Sequence, residues 1–99
     1  MPNYTISEKA LEDINAIWFY TAQNWSVEQA NRYYNLIFDE IEFISNNFEM
    51  AQDFGKLRKS YRYSKIKSHL IFFKKNKFNE IEVIRVLHER MDIENRLND

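Results

Sequence analysis

The sequence predicts an α+β fold: a mostly antiparallel β-sheet packed on an N-terminal α-helical hairpin, in the order β-α-α-β-β-β, ending in a short C-terminal helix. Three observations predict it. Apolar residues recur at helical spacing from Ala10 to Ile44. After Asn47 the period changes to alternating and continuous apolar runs. The chain has 99 residues, the length of one domain, and 16% of them are aromatic, enough ring surface for a core. Residues 1–99 are therefore expected to form a single domain.

The elements follow in order. Asn3-Tyr4-Thr5-Ile6 is a short extended segment. Ser7 reads as a helix N-cap, with Glu8 in the first turn where the helix dipole favours an acid. Ala10, Leu11, Ile14, Ile17, Trp18 and Thr21 then define a first helix from about Glu8 to Gln23. Asn24-Trp25 breaks it. Ser26-Val27-Glu28-Gln29 reads as a capping box, and Trp25 is placed to pack on Ala30 as a hydrophobic staple. The second helix carries Ala30, Tyr33, Tyr34, Ile37, Ile41 and Ile44 on one stripe and stops at Asn46-Asn47. So short a turn makes the two helices antiparallel.

The stretch from Phe48 to Lys59 is irregular and contains the only glycine, Gly55. Tyr61 to Ser64 alternates like a half-buried strand, and His69 to Phe73 is continuous like a central one. Lys74 to Asn79 reads as a polar turn, Glu80 to His88 as a β-branched strand, and Asp92 as the cap of a final helix through Leu97.

Composition excludes several chemistries. With no Cys there is no disulfide, no thiolate zinc site and no thiol nucleophile. A single Gly leaves no phosphate-cradling loop, and two His make a His-rich metal centre unlike this chain. No metal site and no cofactor is expected. No apolar run reaches the roughly 20 residues of a membrane span, and no signal pattern opens the chain. A cytoplasmic protein without membrane contact is the expectation.

The net charge of −1 hides a division. Met1 to Phe54 holds two bases and nine acids; Gly55 to Asp99 holds twelve bases and six acids. Lys56, Arg58, Lys59, Arg62, Lys65, Lys67, Lys74, Lys75 and Lys77 follow one another without an intervening acid. Lysines at strand edges block aggregation. The same run also suits a polyanion or an acidic protein.

Few residues carry chemistry. His69 opens the central strand and His88 ends the last one. On a regular strand Arg85 and His88 point to opposite faces. Arg85 among Ile81, Val83 and Leu87 needs a partner: a hairpin carboxylate, or a phosphate or carboxylate ligand at a cleft edge. Ser60, Ser64 and Ser68 lie near His69 without an acidic orienter, so no triad forms. Trp18, Tyr20, Trp25, Tyr33 and Tyr34 sit at helical spacing, as core residues do; any exposed remainder would make a partner groove.

Two sets of residues carry a resemblance. The first is Tyr4 to Ser7, Ala10, Asp13, Ile14, Ile17-Trp18, Tyr20-Thr21, Trp25-Ser26, Gln29-Ala30 and Tyr33-Tyr34. The second is Leu57-Arg58, Tyr61-Arg62, Ser68 to Phe72 and the segment Arg85-Val86-Leu87-His88-Glu89-Arg90-Met91-Asp92. Together they resemble ParE-type toxins of the RelE/ParE superfamily, which belong to type II toxin–antitoxin systems and plasmid stabilisation. That family has the same β-α-α-β-β-β order. It commonly carries Gly where this chain has Ser60 and near Lys67, and Tyr where it has Phe73.

The resemblance implies a toxin that inhibits DNA gyrase and blocks replication, neutralised by a ParD-type antitoxin. It would be a binding protein and not an enzyme, with no sequence-specific DNA binding of its own. Target binding is expected at Arg58, Arg62, Lys65, His69, Arg85, His88 and Arg90. Antitoxin binding is expected at Trp18, Tyr33, Tyr34, Ile37 and Ile41, with an amphipathic tail folding over the hairpin. Two alternatives share the fold. One is a RelE-type ribosome-dependent mRNA endonuclease using Arg62, Arg85 and His88. The other is an inactive copy that only binds its antitoxin.

Overall fold

The computed structural model describes residues 4–53 and 60–98. The elements are β1 (Tyr4–Ile6), α1 (Glu8–Asn24), α2 (Val27–Asn46), a 3₁₀ turn at Phe48–Met50, β2 (Gln52–Asp53), β3 (Arg62–Ile66), β4 (His69–Lys75), β5 (Ile81–His88) and α3 (Ile93–Leu97). The expected order is present. The addition is β2, a two-residue edge strand too short to leave a periodic signal.

Both helix starts form as their residues dictate. Ser7 Oγ accepts from the Ala10 amide and Ser26 Oγ from the Gln29 amide, each at 3.0 Å. A β-region Ser at each N-cap fixes where the helix begins. Trp25 does not act as a buried staple. It is 63% exposed, with its ring against Tyr20.

The sheet order is β1-β5-β4-β3-β2. Three of its pairings are antiparallel, and β1 joins β5 in parallel. The hairpin lies on one face. Ile14, Ile37, Ile41 and Ile44 from the helices meet Ile71, Phe73, Ile81, Val83 and Val86 from the sheet. Burying each such isoleucine contributes about 1.5–3 kcal/mol, so this layer is the main source of stability. On the opposite face Leu97 of α3 covers Phe72 and Leu87, with Tyr61, Tyr63 and Leu70 packed around them.

A β-bulge corrects one reading. The register steps from Phe72↔Arg85 to Phe73↔Val83, which leaves Ile84 without a partner on β4. One extra residue reverses the alternation. Ile81 and Val83 therefore share the hairpin face with Val86, while Leu87 faces α3. Arg85 shares its face with Leu87 and not with Ile81 or Val83.

Two hairpin turns adopt the left-handed backbone without glycine. Lys67 (φ 51°) lies in the two-residue turn between Ile66 and His69, and Asn79 (φ 64°) in the turn before β5. Ser60, entering β3, has φ 71°. Ser60 and Lys67 stand at or beside the positions where the resemblance leads one to expect glycine. Here non-glycine residues hold that backbone, at about 1 kcal/mol each.

Candidate functional site

The chemistry-bearing side chains fall into three places, and the structure separates them. The first is the outer face of the helical hairpin. Each helix turns its aliphatic stripe inward, so the residues flanking that stripe form the outside. Asn15, Trp18 and Phe19 of α1 and Asn31 and Tyr34 of α2 line a groove of about 290 Å³. The Trp18 indole donates to Asn31 Oδ1 at 2.9 Å, and Phe19 meets Trp18 edge to face. Phe19 is 64% exposed and Tyr34 36%. Three expected members of this surface, Tyr33, Ile37 and Ile41, do not line it; Tyr33 turns to the sheet instead. Ile37 and Ile41 are fully buried against the sheet. Their spacing marks the core stripe and not the outer one. Phe19, missed by the sequence reading, takes a place in the groove. Its signal was an aromatic residue lying opposite the Ile14 stripe.

The second place is the end of the sheet where β3 turns into β4. His69 and His88 are paired residues on neighbouring strands, with rings 5.2 Å apart. Tyr33 of α2 reaches His69. Its hydroxyl donates to Ile66 O at 3.0 Å and lies 2.7 Å from His69 Nδ1. The hydroxyl has one proton. With that proton on the carbonyl, His69 carries its own on Nδ1 and donates to Tyr33. Burial lowers the His69 pKa from 6.5 to about 4; the neighbouring His88 adds to the fall and Glu89 opposes it. Burial also raises the Tyr33 pKa from 10.0 to about 12. His88 Nδ1 accepts from the Arg90 amide at 3.1 Å. Lys65 pairs with Glu89 at 3.0 Å and holds that carboxyl below its ordinary range.

Tyr33 therefore belongs to a hydrogen-bond network that ties α2 to the sheet, half-buried beneath the hairpin. Ser64 makes a second tie, its hydroxyl donating to the Glu40 carboxylate of α2.

The third place surrounds Arg85. Its Nε donates to Asp13 Oδ2 at 2.8 Å and its Nη2 to Asp13 Oδ1 at 3.0 Å, a two-pronged pair with a carboxylate of α1. Nη1 donates to the Arg96 carbonyl of α3 at 2.8 Å. Asp13 Oδ2 also accepts from the Val86 amide at 3.0 Å. Because β1 pairs with β5 only as far as Val83, the rest of that edge needs other partners. Ser7 and Asp13 supply them: Ser7 bonds the Val83 and Ile84 carbonyls, and Asp13 the Val86 amide. Of the two partners the sequence left open for Arg85, the structure supplies the hairpin carboxylate.

The remaining expected cations are dispersed. Arg62 donates to the Ala51 carbonyl at 3.1 Å and pairs with Glu49 at 3.4 Å. Arg90 is exposed after β5. Arg58 lies outside the described residues. Among the described residues the basic run does not make one patch. Lys65 and Lys67 lie at one end of β4 and Lys74, Lys75 and Lys77 at the other. No group of three or more His, Cys, Asp or Glu suited to a metal occurs among the described residues. No helix among them is long and apolar enough to cross a membrane.

The family model described as ParE toxin of type II toxin-antitoxin system, parDE, matches residues 4–93. The chain belongs to the ParE toxin family. Its curated relatives agree along their length. Toxin ParE1 of Caulobacter vibrioides is 37% identical over 92 residues, covering 93% of this chain and 94% of that protein. Toxin ParE1 of Mycobacterium tuberculosis is 31% identical over 94 residues, covering 95% and 96%. Toxin ParE of Escherichia coli is 27% identical over 99 residues, covering 100% and 96%. A solved structure described as the chromosomal ParDE TA system from P. aeruginosa superposes with TM-score 0.74 at 16% identity, covering 86% of this chain and 92% of that one. At that identity the likeness is one of fold. The chain is thus a ParE-type toxin of a type II toxin–antitoxin system, with the fold the sequence predicts.

Proposed function

We propose that this toxin inhibits DNA gyrase by occupying it, and that a ParD-type antitoxin neutralises it by laying an amphipathic segment in the groove of the helical hairpin. Family membership over residues 4–93 carries the first half. The groove carries the second. Trp18, Phe19 and Tyr34 offer aromatic anchors, and Glu8, Glu12, Glu28, Asp39 and Glu42 on the same two helices favour a segment with basic flanks. Ile37 and Ile41 drop out of the proposed surface because they are core residues.

The endonuclease reading asks Arg62, Arg85 and His88 to converge on one scissile phosphate. Their surroundings argue against it. Arg85 is committed to Asp13 and Arg62 to Glu49 and Ala51. Arg85 and His88 face opposite sides of β5, since their partners Phe72 and His69 are three residues apart on β4. Purified toxin added to gyrase, plasmid and ATP is expected to inhibit supercoiling and accumulate cleaved DNA. Unaffected gyrase together with cut messages in a translation extract would instead establish the nuclease. Unaffected gyrase with intact messages would leave the antitoxin-binding copy.

A further inference from the structure

We propose that the β4–β5 turn is a DNA contact without sequence specificity, its lysines meeting phosphates and Phe78 stacking on or wedging between bases. The proposal deepens the gyrase reading, because gyrase presents the toxin with DNA as well as protein.

The turn is built to project. Asn76 Oδ1 accepts from the Phe78 amide at 2.8 Å and from the Glu80 amide at 3.0 Å. The Asn76 amide donates to Glu80 O at 2.8 Å, and Asn79 closes the turn with positive φ. The backbone carrying Phe78 is therefore held at both ends. Yet Phe78 is 70% exposed, and Met50, on the rim of the adjoining groove, is 71% exposed. Lys74 and Lys75 end an inner strand and Lys77 lies in the turn after it, so edge protection gives only a partial reason for them. It does not explain an exposed phenyl ring held at the tip among them.

The charges fit an anion. Lys77 lies over the Phe78 ring at 5.2 Å, Lys75 over Phe48 at 4.7 Å and Lys74 over Tyr61 at 5.7 Å. Two acids near this end have partners of their own: Glu49 pairs with Arg62, and Glu80 accepts from the Asn76 amide group. An exposed aromatic among lysines recognises DNA through stacking and phosphate contact.

The test uses the full chain alone, titrated into a fluorescein-labelled 20-base-pair duplex or single strand, read by anisotropy. The expected Kd is on the order of 100 µM at 50 mM salt, and log K should fall with log salt with a slope of about −2 to −3, for two or three phosphates. The triple variant Lys74→Gln/Lys75→Gln/Lys77→Gln should bind at least tenfold more weakly. Phe78→Ala should bind about fivefold more weakly. Lys67→Gln, at the other end of β4, should bind as the parent does. Circular dichroism would verify that each variant is folded. No binding, a salt slope near zero, or undiminished binding by the folded triple variant would overturn the proposal. So would tighter binding to phosphatidylserine vesicles than to DNA of equal phosphate concentration, which would make the surface a lipid contact. These outcomes are independent of gyrase: a toxin that poisons gyrase without binding DNA sinks this proposal and leaves the gyrase reading standing.

Discussion

Removing the Asp13 carboxylate is expected to cost this fold more than any other single polar substitution described above. The pair is nearly enclosed, with Arg85 and Asp13 side chains 11% and 15% exposed. Asp13 accepts three bonds: two from the Arg85 guanidinium and one from the Val86 amide. Asp13→Ala leaves a cation and an edge amide together without that acceptor. Breaking one side of a buried pair costs about 3–5 kcal/mol, far more than breaking a solvent-exposed one. The small residual exposure points to the lower end, about 3 kcal/mol. For a domain near 100 residues each kcal/mol moves Tm by about 4–8 °C, so the expected loss is at least about 12 °C.

Thermal and urea unfolding of Asp13→Ala, Arg85→Ala and the double variant would check the value. The cycle should return a coupling of about 2–3 kcal/mol, little changed by 0.5 M salt because the pair is shielded. Arg85 also holds the Arg96 carbonyl, so amide exchange in α3 should accelerate in Arg85→Ala. A loss below 1 kcal/mol in Asp13→Ala, or a coupling near zero, would refute the reasoning. The contact would then be geometry without energy.

Three other expectations follow from the same surfaces. His69 folds with its pKa lowered to about 4 from 6.5, so the unfolded chain binds the extra proton first. Its contribution is complete above pH 6.5 and is lost as pH falls towards 4, on the order of 2 kcal/mol after allowing for partial exposure; His69→Gln should flatten Tm over that window, and an unchanged profile would discount the network. At Lys67 the left-handed backbone predicts an order in urea midpoint of Gly at or above Lys, with Lys67→Val lower by at least about 1 kcal/mol; a valine variant as stable as glycine would contradict it. Tyr34→Asp should weaken antitoxin binding more than Lys75→Glu in calorimetric titration, whereas Ile37→Asp should unfold the protein instead; the reverse order for the first two would remove the groove from the interface.

What the sequence disclosed, and what it withheld, has a common cause. Ser7, Ser26 and Asp92 are local signals that act within three residues, and each caps the helix it was read to cap. The outer groove is another matter. Helical spacing locates the strongest apolar stripe, and in a helix lying on a sheet that stripe is buried. Ile37 and Ile41 were therefore bound to the core by the same pattern that drew attention to them. The surface left for a partner holds Trp18 and Tyr34, which the helical spacing included, and Phe19, which lies off the stripe and which no period singles out. The bulge at Ile84 was hidden for a related reason. In Ile81-Glu82-Val83-Ile84-Arg85-Val86 one added isoleucine looks like part of a β-branched run, yet it moves Arg85 to the other face. The sequence did require a partner for Arg85, since a guanidinium near a core must have one. It did not identify Asp13, 72 residues away, because only the packing of α1 along β5 brings them together. Chemistry that depends on a residue's near neighbours could be read from the chain. Chemistry that depends on which face a residue occupies had to wait for the sheet register, and so Arg62, Arg85 and His88, which read as one candidate set, occupy three different settings in the fold.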